Sequence, residues 1–247
     1  MNKANQRILQ VIRKTYVTPN MLRVTLGGPN MQQFPADQAS AYIKLLFPRG
    51  DDQRPIARTY TIRAQRDNEI DIDFAVHAES GPALSWALNS QAGEDILIGG
   101  PGPKKLANPS ADWFLIVGDM TALPAISINL AQLPEDAQGH ALIQVLSADD
   151  IQPLQAPEGV TLHWQINPEP GLDETLLLEK VKTLPCFNGT PYIWCACEMN
   201  SMRQLRTYFR AQPQIQRDQM YISSYWKRGV REEEHKSLKS RLDQDAA

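Results

Sequence analysis

At 247 residues, with 42% hydrophobic and 21% charged side chains, the chain has the composition of an ordinary globular protein of one or two domains. A formal net charge of −3 excludes the basic field of a nucleic-acid or anionic-membrane binder. No run of about 18 apolar residues occurs, so no transmembrane helix and no stable membrane association are predicted. The stretch from Met1 to Arg7 lacks the apolar core of a signal peptide, and a cytoplasmic location is expected. Cys186, Cys195 and Cys197 have neither a disulfide-framework spacing nor a zinc spacing. They are expected to be buried reduced thiols, and no metal site is predicted.

The first part of the chain reads as all-β. Ile8–Ile12 and Leu22–Leu26 alternate apolar and polar residues on either side of the turn-prone Thr18-Pro19-Asn20. Ala41–Phe47, Thr59–Arg63, Ile70–Val76 and Ile96–Ile98 continue the series. One helix, Pro82–Leu88, interrupts it, with Pro82 suited to the first turn. Short strands separated by turn signals predict a barrel or sandwich.

Near Ala107–Ala111 the rhythm changes to alternating strands and helices. Trp113–Val117 is a continuous apolar run, followed by Gly118-Asp119 and a helix over 124–133. Strands are predicted at Ala141–Leu146, Val160–Ile166, Tyr192–Cys197 and Tyr221–Tyr225, with helices over 173–184 and 200–211. A last helix is predicted from Val230 to Leu242. Buried apolar strands alternating with helices argue for a parallel α/β sheet covered on both faces.

The most informative stretch is Arg58-Thr59-Tyr60-Thr61-Ile62-Arg63. In a strand Arg58 and Tyr60 share one face and Thr61 lies on the other. A flat cofactor carrying a pyrophosphate needs such a set: a cation for the phosphates, a ring to cover one face, and a small donor at the reactive edge. Further on stand Asp71–His77, Gly81–Ala87, Gly118–Ile126 and Tyr225-Trp226-Lys227-Arg228-Gly229. The turn at Gly118-Asp119-Met120-Thr121 is where an α/β sheet binds a nucleotide, although it is not a G-x-G-x-x-G fingerprint.

These five ordered motifs, spread from about Ile8 to about His235, resemble the siderophore-interacting protein family of FAD-dependent ferric-siderophore reductases. The resemblance implies an antiparallel β-barrel FAD domain over 1–107. A Rossmann-like α/β domain for NADH or NADPH, with a C-terminal helix, would follow over 108–247. It implies that Arg58, Tyr60, Thr61 and Ile62 hold FAD, with Tyr60 on the isoalloxazine and Thr61 near its reactive nitrogen. Tyr60 and Thr61 are thus the catalytic candidates. Val76, His77 and Gly81 would approach the pyrophosphate, with Ala83 and Ser85 presenting donors from a helix N-terminus. Asp73 is expected near the adenosine. Gly118, Asp119, Thr121, Ala122 and Glu198 fall on the nucleotide side.

Met120 stands where an acid is common in the family, Ala78 follows His77 where Gly is common, and Cys197 replaces a Gly. Lys44, Lys227, Arg228 and Arg231 are the candidate cations for an anionic ferric siderophore. Glu232–Glu234 read as a solvated helix face, His235 as a surface helix residue, and Trp86 as core. A monomer is expected. Two alternatives stay open: a general flavin or ferric-chelate reductase, and a flavin-holding siderophore-binding protein served by an external ferredoxin donor.

Overall fold

The computed structural model describes residues 5–50, 53–77, 81–230, 234–235 and 238–240. Two compact units divide the chain: Met1–Leu106 with Ser127–Asn129, and Ala107–Ile126 with Leu130–Ala247.

The first unit is a closed barrel of antiparallel strands in the order β1-β2-β5-β4-β3-β6. The strands are β1 (Gln6–Thr18), β2 (Met21–Gly27), β3 (Tyr42–Phe47), β4 (Ile56–Arg66), β5 (Glu69–Ala75) and β6 (Asp95–Gly99). Alternation fixes the register because a slip of one residue would turn every apolar side chain outward. Ile62 lies opposite Ile72, Val24 opposite Ile72, and Ile43 opposite Tyr60, all facing the interior. The core they build includes Leu9, Leu26, Ile43, Ile62, Ile70, Ile72 and Phe74.

Outward positions of β5 carry carboxylates instead, met by arginines on adjoining strands. Arg23 clamps Asp73 at 2.6 and 2.8 Å, Arg66 clamps Asp71 at 2.7 and 2.8 Å, and Arg13 holds Glu69 at 2.8 Å through both nitrogens. Between β5 and β6 runs α1 (Pro82–Asn89), which buries Ala83, Leu84 and Ala87. Strand β1 exceeds its expected extent because register shifts at Val11/Arg13 and Tyr16/Thr18 break the period of two while the strand continues.

The second unit is a five-stranded parallel sheet in the order β11-β10-β7-β8-β9. Its elements are β7 (Trp113–Asp119), α2 (Leu123–Ala131), β8 (Gly139–Val145), β9 (Val160–Ile166), α3 (Leu176–Lys182), β10 (Pro191–Glu198), α4 (Met199–Arg210) and β11 (Met220–Trp226). Central β7 is buried along its whole length, as a strand covered on both faces must be. Trp113, Leu115 and Val117 pack with Ile193, Cys195 and Cys197 of β10 against α3 and α4. Helix α3 starts later than expected because Asp173 first closes a turn onto the backbone N–H and hydroxyl of Thr175.

The barrel followed by a parallel α/β sheet is the fold class the sequence predicts. Two expectations are corrected. Cys186 is exposed, while Cys195 and Cys197 are buried. His235 is buried and not on the surface, its Nε2 lying 2.8 Å from the Ser224 hydroxyl, because the C-terminal segment folds back on β11. Of the helix expected over 230–242, most lies outside the described residues. No helix among the described residues is long and apolar enough to cross a membrane.

Candidate functional site

In the barrel, β4 pairs with β3 over Ile56–Thr61 and with β5 over Ile62–Arg66, so the motif sits where the strand changes partner. Arg58 lies opposite Leu45 and Tyr60 opposite Ile43, which puts both on the core-facing side. Thr61 lies opposite Tyr42 on the other face. The Tyr60 ring packs 4.4 Å from Phe74, whose other neighbour is Trp86 at 6.1 Å; Trp86 also meets Phe47 at 6.1 Å. Tyr60, Trp86 and Phe47 remain partly exposed at the edge of the core and form an aromatic floor.

Helix α1 begins beside this floor in sequence. Gly81 caps it in an extended conformation, with nothing within 4 Å of where a Cβ would stand. Ala83 is buried, Ser85 is exposed, and His77 is exposed after the end of β5. Val76 packs on the core and donates its N–H to the Asn20 carbonyl at 2.9 Å. Asp73 is buried with its carboxylate engaged by Arg23. Ala78 lies outside the described residues.

Sequence reasoning gave Arg63 no role. Its guanidinium is pulled below its ordinary value, first by burial, with the charges of Asp73 and Arg23 acting on it as well. The register shift between Ile62 and Ala64 isolates it from the ladder, and only alternation broken by such a shift could have signalled it. Lys44 sits half-buried between Thr59 and Gly99 on neighbouring strands.

In the α/β unit, the chain reverses strand order between β7 and β10, and the ends of these strands are tied together by one side chain. Asp119 Oδ1 accepts from the backbone N–H and hydroxyl of Thr121; Oδ2 accepts from the Glu198 N–H at 2.9 Å and the Trp226 indole N–H at 2.8 Å. Burial pushes the Asp119 carboxyl up from its ordinary value, against these donors, which favour the charged form. Trp226 can reach it because a register shift after Cys197 pairs Glu198 with Trp226 and so re-aims the indole.

Gly118 is needed for contact: a Cβ there would meet the Ala196 carbonyl at 2.5 Å and Ile126 at 2.8 Å. Ala122 is fully buried at the start of α2. Glu198 caps α4 through Asn200 N–H and Ser201 N–H, and its other oxygen accepts from Arg228 N–H at 3.3 Å. Met120 is buried, and its sulfur accepts the Leu146 N–H at 3.4 Å. Cys197 sits inside the apolar cluster against α4. Its thiol is pushed up by a hydrogen bond with Cys195 and by burial. Lys227 donates to Asn200 Oδ1 at 3.1 Å, and Arg228 is exposed. Arg231 lies outside the described residues.

The barrel's residues fit a flavin. A half-buried ring on an aromatic floor, a guanidinium on the same face of the strand, and an open helix N-terminus are the donor and wall set that a ring joined to a pyrophosphate requires.

The pattern described as "Siderophore-interacting protein" matches residues 111–229. That described as "Siderophore-interacting FAD-binding domain" matches 10–53 and 49–105. The chain is similar to the ferric vibriobactin reductase ViuB of Vibrio cholerae, 36% identical over 249 residues, covering 92% of this chain and 91% of that protein. It is also similar to the solved siderophore-interacting protein SipS from Aeromonas hydrophila, with a TM-score of 0.87 and 34% identity over 97% of this chain and 98% of that one. Ferredoxin-NADP+ reductase from Plasmodium falciparum shares the fold, with a TM-score of 0.64 at 12% identity over 90% of this chain and 97% of that one.

Proposed function

The chain belongs to the siderophore-interacting protein family, and we propose that it is a flavin-dependent ferric-siderophore reductase. FAD would be held on the barrel, and NADH or NADPH would be the electron donor, bound at the α/β unit. The observation that carries this reading is the Tyr60 ring lying 4.4 Å from Phe74 with Arg58 on the same face of β4, inside the stretch the FAD-binding pattern matches.

When bound, the flavin supplies a two-electron acceptor that releases electrons singly, so one nucleotide oxidised reduces about two siderophore-held Fe(III) to Fe(II). Reduction loosens hard oxygen donors because Fe(II) has the lower charge density. The protein's own residues bind, orient and exclude water. Tyr60 would cover one face of the isoalloxazine, and Thr61 with Ile62 would border its reactive edge. Arg58 and the α1 N-terminus, at Gly81, Ala83 and Ser85, would hold the pyrophosphate, with Val76 and His77 beside them. Asp73, whose carboxylate holds Arg23, would lie toward the adenosine.

In the α/β unit, Asp119 fixes the turn bearing Gly118, Thr121 and Ala122, and Glu198 fixes the start of α4. Lys44, Lys227 and Arg228 are the cations that draw in an anionic ferric siderophore, which a chain of net charge −3 would otherwise repel. Location in the cytoplasm and a monomeric state complete the reading.

The purified protein is expected to carry FAD at a ratio of about one to one. Arg58→Ala should weaken FAD binding by about tenfold or more, the loss of one charge-assisted phosphate contact. Flavin absorbance after gel filtration checks both. A colourless protein that takes up no FAD on reconstitution would end the reading.

A further inference from the structure

We propose that the α/β unit selects NADH over NADPH, and that the Asp149 carboxylate is the discriminating group. This rests on the reading that a nicotinamide nucleotide binds that unit. In a sheet ordered β11-β10-β7-β8-β9, β7 is the central first strand and β8 adjoins it. A dinucleotide on this topology sets its pyrophosphate at the first strand-to-helix turn and its adenosine ribose toward the end of the adjoining strand. An acid there hydrogen-bonds the free 2′-hydroxyl, whereas a cation is needed to accept a 2′-phosphate.

Strand β8 ends at Val145 and runs into Leu146-Ser147-Ala148-Asp149-Asp150. Asp150 is fully buried, and its Oδ2 accepts from both the N–H and the hydroxyl of Ser147 at 3.1 Å, which fixes the single turn Ala148–Asp150. Asp149 lies in that fixed turn and is exposed. The turn is also tied to the pyrophosphate end of β7, through the Leu146 N–H donated to Met120 sulfur at 3.4 Å.

The three segments leaving β7, β8 and β9, residues 119–124, 146–152 and 167–174, carry Asp119, Asp149, Asp150, Glu169, Asp173 and Glu174. They contain no Lys, Arg or His. Among the described residues, Arg228 reaches this side from elsewhere in the chain, donating to the Pro170 carbonyl at 3.3 Å. It is held there by Gly171, whose φ of +76° brings the segment against Arg228, Glu198 and Trp226 at the β10–β11 ends. A 2′-phosphate at the end of β8 would therefore face a carboxylate and no cation from its own turn, and a ribose hydroxyl would find an acceptor.

The test uses the FAD-loaded full chain under anaerobic stopped flow with NADH and NADPH, and calorimetry with ADP-ribose and 2′-phospho-ADP-ribose as binding probes. NADH should reduce the flavin with an efficiency at least about tenfold above NADPH, and ADP-ribose should bind correspondingly tighter, since like charges brought together are strongly disfavoured. Asp149→Asn, at an exposed position, should narrow both ratios by raising the phosphorylated partner's binding. Equal or better use of NADPH by the wild type would overturn the proposal, and a fall in that use in Arg228→Ala would name Arg228 as the clamp instead. Unchanged ratios in Asp149→Asn would remove Asp149 from the role. Flavin that dithionite bleaches but neither nucleotide does would sink the underlying reading of a nicotinamide donor.

Discussion

The two units bury acids in opposite ways. On the barrel, Asp71, Asp73 and Glu69 are each met by an arginine from a neighbouring strand. In the α/β unit, Asp119, Asp150 and Glu198 are buried and are satisfied by N–H and O–H donors. Asp71 and Asp119 show the difference. Burial pushes the Asp71 carboxyl up, but the Arg66 guanidinium and Thr25 hydroxyl outweigh it and hold it below the ordinary range. Burial of Asp119 prevails over its donors and leaves that carboxyl raised. Paired charges keep a barrel surface in register; dipolar donors let a carboxylate tie strand ends together.

The largest expected effect breaks the donor-held side. Asp119→Ala strands four donors, from Thr121, Glu198 and Trp226. It should destabilise the protein by about 3 kcal/mol or more, as buried groups lose their partner. Denaturant unfolding followed by tryptophan fluorescence measures it, and a change under about 1 kcal/mol would mean that water satisfies these donors as well as the carboxylate does.

Next comes the ion-paired side. Arg66→Ala leaves Asp71 with Thr25 and should cost about 1–3 kcal/mol at neutral pH. Asp71 and Glu69 are depressed, so their contribution is present above the unfolded carboxylate pKa of about 4 and is lost as pH falls through the folded values. Asp119, being raised, contributes the other way: stability falls as pH rises from the ordinary carboxylate range through its folded value. The Arg66→Ala penalty should therefore shrink steadily as pH falls below the unfolded value of about 4, and a penalty that stays constant across that acid range would assign it to lost packing instead.

The smallest effect is Trp226→Phe, which keeps a ring and removes the indole N–H from Asp119, at about 1 kcal/mol. Combined with Asp119→Asn it should be non-additive, and additive energies would mean the bond contributes nothing.

Much of this could be read from the chain. Period-two alternation gave the barrel strands, and the apolar runs at Trp113 and Tyr192 gave the parallel sheet's interior. The Arg58–Tyr60 face followed from strand geometry alone. What stayed hidden depends on partners far apart in sequence. Asp119 meets Trp226 across more than a hundred residues, because β11 joins the sheet beyond β10 and a register shift turns the indole. Met120 looked like a missing acid, and its use as an acceptor for Leu146 needs the neighbouring strand end. His235 looked like a solvated helix position because nothing local announces the Ser224 hydroxyl that receives it.

The most direct test of the central claim is one anaerobic turnover. FAD-loaded protein, reduced with NADH, is mixed with a ferric catecholate siderophore and an Fe(II)-specific chelator while the flavin band is followed. The account predicts that the flavin reoxidises as about two Fe(II) appear per flavin. A flavin that stays reduced while the ferric siderophore is bound and intact would contradict it.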